Sequence, residues 1–273
     1  MLPFTAKPKF FLKTGLVSLV SLAGLYVAGS SLASALNNPF TSGNGGFENG
    51  DFTGWETFGR AMIETAAFGS EPTEGTYQAR LDTVCPVVPL GSQCPPNDSG
   101  NFTDLATFLE VSPSDLNALE PNRRQGYEGS AIKTTFLARA GDRISFDWNF
   151  LSDDEESAMF NDFSFVTLSQ TAPTGLATTY SSLLSSDTDF RFETGYREFS
   201  FTFLEEGEYT LGIGVTDVGD GAVDSGLLVD NVVLSRKPTM GPPPPTKVPE
   251  PVSVLSLLAL GVLGFIQKHL RQN

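Results

Sequence analysis

Near the middle of the chain, Ile144, Phe146, Trp148 and Phe150 alternate without a break with Ser145, Asp147 and Asn149. Successive side chains of a strand point to opposite faces, so this period of two predicts a strand with one face in an apolar core. Similar runs predict strands over residues 76–81, 130–137, 163–168, 198–203, 209–215 and 227–234. Gly141-Asp142, Glu206-Gly207 and Gly219-Asp220-Gly221 supply turn chemistry between them. The pattern is that of a mainly β protein, an antiparallel, jelly-roll-like β-sandwich. One insertion breaks it between Thr103 and Leu119. Thr103 to Leu109 reads as a short helix, and Ser112 followed by Pro113 offers an N-cap with proline at the first helical position. Two short helices packed across one end or face of the sandwich are expected.

Both ends of the chain follow a different pattern. Lys7, Lys9 and Lys13 precede an apolar run from Gly15 to Ala28, and Ala33-Ser34-Ala35 offers a small-residue cleavage site. Residues 1–35 therefore read as a secretory signal peptide whose helix is removed from the mature chain. At the other end, Val252 to Ile266 carries no charge and is followed by Lys268 and Arg271. As a helix this hydrophobic run spans only about 22 Å, short of the roughly 30 Å hydrocarbon core. The basic stub would stay cytoplasmic, which places everything before Pro249 on the far side of the inner membrane. Together, Val248-Pro249-Glu250-Pro251, the hydrophobic helix and the basic stub closely resemble the PEP-CTERM sorting signal of bacterial exported proteins. The resemblance implies transport by the Sec export machinery, transient inner-membrane anchoring, then cleavage by an exosortase and delivery to the cell surface or exterior. The expected organisation is a signal peptide over 1–35, a sandwich over 36–240, a stiff proline-rich spacer over 241–247 and a sorting segment over 248–273.

Charge narrows the list of partners. The chain carries 17 basic and 32 acidic residues, for a net charge of −15, and six of the bases but only Glu250 among the acids lie in the two end segments. The sandwich is thus more acidic than the whole. Such a surface repels nucleic acid and anionic lipid and suits divalent cations and neutral or cationic ligands. Cys85 and Cys94, the two cysteines, flank a proline-rich loop in a chain bound for an oxidising compartment, so a disulfide is expected, contributing about 2–3 kcal/mol.

Two further stretches resemble a recurrent sandwich family. Gly45-Gly46-Phe47-Glu48-Asn49-Gly50-Asp51-Phe52-Thr53-Gly54-Trp55 is similar to the opening of galactose-binding-like jelly rolls, including several carbohydrate-binding modules, and Leu228-Val229-Asp230-Asn231-Val232 to their last strand. The resemblance implies that the first and last strands lie side by side and that Glu48 and Asp230 share a structural calcium. Other segments, such as Phe146-Asp147-Trp148-Asn149-Phe150-Leu151 and Asn161-Asp162-Phe163-Ser164-Phe165-Val166, are similar to a subgroup of PEP-CTERM proteins that implies no activity.

Candidate chemistry is sparse. The single histidine, His269, lies in the sorting segment, so neither a Ser-His-Asp or Cys-His nucleophile nor a His-ligated zinc site is available in the sandwich. A glycosidase needs only two carboxylates, which the Asp153-Asp154-Glu155-Glu156 loop contains. Clustered loop acids also suit calcium, which takes oxygen ligands in flexible geometry. Besides Glu48 with Asp230, the candidate sets are Asp153, Asp154 and Asp162 in one loop and Asp217, Asp220 and Asp224 in another. A sugar-binding surface needs exposed aromatics. Trp148 is in phase with Phe146 and Phe150, and Trp55 sits among apolar residues, so both read as core; Tyr127, Tyr180 and Tyr196 lie in loop-like sequence. The expected function is that of an exported, non-catalytic cell-surface or extracellular-matrix protein that binds polysaccharide or serves as a structural component. The alternatives are an extracellular carboxylate-dependent glycan-processing enzyme and a permanently anchored structural envelope protein.

Overall fold

The structure, a computed structural model, describes residues 39–84, 100–122, 124–154, 160–219, 221 and 223–236. The segments read as signal and sorting sequences, with Ala33, Ala35, Cys85, Cys94, Glu155, Glu156, Asp220 and Val248 to Pro251, lie outside the described residues. In chain order the strands are β1 (Glu56–Phe58), β2 (Arg60–Glu64), β3 (Gln78–Asp82), β4 (Gly100–Asn101), β5 (Gly126–Ala138), β6 (Arg143–Ser152), β7 (Phe163–Leu168), β8 (Thr174–Thr178), β9 (Leu184–Ser185), β10 (Phe192–Glu193), β11 (Arg197–Thr202), β12 (Gly207–Val218) and β13 (Ser225–Ser235). Helices α1 (Phe102–Phe108) and α2 (Pro113–Asn117) stand between β4 and β5. Among the described residues no helix is long and apolar enough to cross a membrane.

Two antiparallel sheets form the sandwich. The first runs β1-β5-β12-β7-β8, with β4 also on β5; the second runs β2-β3-β13-β6-β10-β9, with β11 also on β6. Ile144, Phe146, Trp148 and Phe150 point inward as their alternation predicts. With Leu81, Leu227 and Val229 they meet Ile132, Phe136, Leu211, Ile213 and Val215 of the first sheet in the main core. Trp55 and Trp148 are both buried in this core.

The outer face of the first sheet is the one that the helical insertion covers. Phe102, Leu105, Leu109 and Leu116 pack on Ala131, Phe163 and Phe165. Strand β12 accommodates them with a glycine: a Cβ on Gly212 would lie 2.5 Å from Leu109 and 2.4 Å from the Thr167 hydroxyl, so the helix reaches the sheet only because that side chain is missing. Asn101 caps α1 by accepting the Asp104 N–H, and Ser112 caps α2 with Pro113 next, as the sequence predicts.

The outer face of the second sheet is closed by the chain's own loops. Leu151 and Leu228 on the sheet gather Phe190, Phe68 and Tyr196 from the loops above. The Arg80 guanidinium lies 4.3 Å from the centre of the Phe68 ring. Strands β1, β2, β4, β8, β9 and β10 are additions to the seven strands read from the sequence. They are short and mostly half-buried or exposed, so they carry no clean alternation.

Candidate functional site

The first and last segments of the sandwich do lie side by side: the Val232 N–H donates to the Gly45 carbonyl at 3.2 Å. Strand β13 bulges between Asp230 and Val233, with Asn231 in the left-handed region at φ 52°. The bulge turns Asp230 toward residues 71–77. Its Oδ2 accepts the N–H groups of Thr73 at 2.7 Å and Glu74 at 2.9 Å, and its Oδ1 accepts that of Asn231 at 2.6 Å. Glu48 accepts the N–H groups of Thr76 and Tyr77, each at 3.0 Å. Both carboxylates therefore accept backbone N–H groups from one loop. Burial, opposed by these hydrogen bonds, pushes the Asp230 carboxyl up to about 6. Among the described residues no three His, Cys, Asp or Glu side chains surround a common point as ligands of one ion would.

At the end of the sandwich where β6, β7, β12 and β13 meet, the fold brings the two predicted acidic loops together. Asp162 is at the centre: its Oδ1 accepts the Val218 N–H at 2.9 Å, its Oδ2 the Ser225 hydroxyl at 2.7 Å, and its carboxyl is hydrogen-bonded to those of Asp217 and Asp154. Burial drives Asp162 up to about 6 against these bonds. Asp224 also rises to about 6, first through burial and then through repulsion from Asp82, Asp153 and Asp154. Asp153 is used differently, accepting the Arg191 N–H at 2.7 Å. Asp82, absent from the sequence expectations, is fully buried between Arg60 at 3.0 Å and Arg80 at 2.9 Å. Burial raises its carboxyl despite both arginines.

The open cavity lies beside this cluster. It has a volume of about 520 Å³ and is lined by Asn101, Phe102 and Thr103 from the start of α1, by Arg124, Gln125, Gly126 and Tyr127 entering β5, and by Gly219 after β12. Tyr127 is 53% exposed on its wall. Gly126 is where the wall comes closest to the helix; a Cβ there would fall 2.3 Å from the Phe102 ring. Behind the wall, buried Glu120 accepts the Arg124 N–H at 2.7 Å and the side-chain amides of Asn122 and Asn161, both at 3.2 Å. Burial opposes its charge, but the hydrogen bonds led by the Arg124 and Asn122 N–H groups outweigh it and hold the carboxyl below its usual range. An ionised, fully bonded Glu120 thus fixes the backbone that presents Arg124 and Tyr127.

Of the aromatic candidates, Tyr127 alone lines this cavity. Tyr180 is exposed on the turn after β8 and is not among these lining residues. Tyr196 is half-buried with its hydroxyl on Gln78, and burial raises it further above its usual range. Arg124, Glu120 and Asn101 were missed in the sequence. The one available signal was the Arg123-Arg124 doublet in an otherwise acidic chain.

No family model matches the chain, and no curated protein matches it. Among solved structures the chain is similar to TmCBM61, a carbohydrate-binding module in complex with β-1,4-galactotriose, at 14% identity and a TM-score of 0.37 over 71% of this chain and 96% of that one. It is similar to the mannan-recognising module TmCBM27 at 16% identity and a TM-score of 0.32, over 67% and 89%. A third similarity is to the enzymatically active domain of bacteriophage CBA120 tailspike protein 4, at 10% identity and a TM-score of 0.31, over 70% of this chain and 20% of that one.

Proposed function

We propose that this protein is an exported, non-catalytic glycan-binding module, carried out by residues 1–35, processed by an exosortase at the Pro249-Glu250-Pro251 motif, and engaging extracellular polysaccharide through the cavity at Tyr127. The observation that carries the binding reading is the exposed Tyr127 ring standing in a cavity of about 520 Å³ beside Arg124, Gln125 and Thr103. A sugar ring stacks its C–H face on such an aromatic, while amide, hydroxyl and guanidinium groups take its hydroxyls. The volume suits one or two sugar residues, since small-ligand sites run from about 300 to 1,000 Å³. The helices pack on part of the outer face of the first sheet, and loops bearing Phe68, Phe190 and Tyr196 pack on part of that of the second.

Binding is favoured over hydrolysis by the lining itself. A glycosidase sets two carboxyl groups on either side of the scissile bond, and among the described residues that line this cavity there is neither Asp nor Glu. The buried acids Asp154, Asp162 and Asp217 are bonded to one another instead of facing the cavity as a separated pair.

The test is a glycan array probed with the exported protein and with its Tyr127→Ala variant. Loss of a stacking aromatic should weaken binding roughly fivefold, in line with about 1 kcal/mol for an aromatic contact, while thermal stability is unchanged because the ring is exposed. An array without a bound glycan, or one that Tyr127→Ala leaves unaltered, overturns the assignment.

A further inference from the structure

We infer that the cavity at Tyr127 selects an acidic sugar, a residue of the uronic-acid class whose carboxylate pairs with Arg124; this rests on the glycan-binding reading above. The chain as a whole is acidic, so the inference runs against its net charge of −15 and has to be carried by the local arrangement.

Arg124 stands apart from most cations of the sandwich. Arg60, Arg80, Lys133, Arg143 and Arg236 each hold a carboxylate of the protein. Arg124 makes no ion pair with any of the described residues, and it is the cation in the cavity lining. Its backbone is fixed by Glu120, whose carboxylate is directed to the Arg124 N–H. That bond holds the residue in place without spending its guanidinium.

None of the described acids forms an ion pair with it. Glu120 is taken up by Arg124 N–H, Asn122 and Asn161, Asp104 by the side chain of Asn101, and Glu128 is buried beneath the wall. Asn101 is committed to capping α1, so the polar side chains left to meet a ligand are Arg124, Gln125 and Thr103. A guanidinium fork matches a carboxylate with two parallel N–H donors, a geometry that a neutral hydroxymethyl group does not satisfy. The rest of the protein's negative charge acts from further off. It is screened over about 8 Å at physiological ionic strength, whereas a contact pair within the cavity is screened much less.

The experiment is titration calorimetry of the full exported protein with tri-galacturonate and with its carboxyl-reduced counterpart, in EDTA to exclude bridging by divalent ions. The acidic trisaccharide should bind roughly tenfold more tightly, the range of a hydrogen bond to a charged group. Arg124→Gln should remove the preference, and Arg124→Lys, which keeps the charge but not the fork, should restore part of it. Equal affinity of the wild type for both sugars, or a preference that survives Arg124→Gln, overturns the acidic-sugar inference. In those outcomes glycan binding stands if Tyr127→Ala still weakens it. Absence of binding to either sugar and to every other glycan on the array overturns both.

Discussion

Asp230 accepts a 2.7 Å hydrogen bond from the backbone N–H of Thr73, a residue 157 positions earlier in the chain. With the Glu48 contacts to Thr76 and Tyr77, this bond closes the segment between β2 and β3 onto both ends of the sandwich.

Asp230→Asn replaces an acceptor by a side chain whose NH₂ group can face the amides of Thr73 and Glu74. The expected cost is about 1–3 kcal/mol, that of stranding buried donors, and it should appear as a lower melting temperature in EDTA. An unchanged melting temperature in EDTA would refute the clamp. A loss seen in calcium alone would instead assign Glu48 and Asp230 to the ion that their sequence context implies.

Acidification should stabilise this protein before it destabilises it. Asp162, Asp224 and Asp230 take up a proton at about 6 in the folded state, against about 3.9 when unfolded. Between those values the folded chain holds more protons, so stability falls as pH rises through the window and is fully present only below it. Glu120, held low, acts in the opposite direction and loses its contribution at more acidic pH. Melting temperature in EDTA should therefore climb by several degrees from pH 7.5 to 5, at roughly 2–4 °C per kcal/mol for a domain of this size. A steady fall over that range would contradict the assignment. Calcium bound at either loop set expected from the sequence, Asp153 with Asp154 and Asp162 or Asp217 with Asp220 and Asp224, would neutralise carboxyls and flatten the rise, so the same titration repeated in calcium tests that expectation.

Processing at the tail is tested by two epitope tags, one before Lys247 and one after Asn273. In cells with an exosortase only the upstream tag should reach the exterior. Co-fractionation of both tags with the inner membrane would support a permanent anchor.

The fold was legible wherever one face of a strand is buried. The alternation in β6 assigns its inward residues correctly, and the Ser112-Pro113 cap marks α2 to the residue. Edge strands escaped because Arg60 to Glu64 are all half-buried, so polarity does not alternate. Apart from Asp217, which lies inside β12 and not in a loop as read, the acids were legible as loop residues, but their convergence on Asp162 depends on the pairing of β7 with β12 and of β13 with β6, which no local pattern encodes. Tyr127 was left open because it begins a strand at its exposed end. Arg124 and Glu120 act through one backbone contact, for which hydrophobic periodicity has no signature.

The sheet orders constrain when this protein can fold. β12 is the strand between β5 and β7, and β13 is the strand between β3 and β6, so the last two strands of the sandwich fill the centre of both sheets. A nascent chain stopped before Gly207 owns two sheets, each with its middle missing, and a deletion from that point onward leaves no sandwich to rescue. Translocation of an unfolded polypeptide is therefore compatible with this topology at every stage but the last. Only when β12 and β13, up to Ser235, have emerged can either layer close.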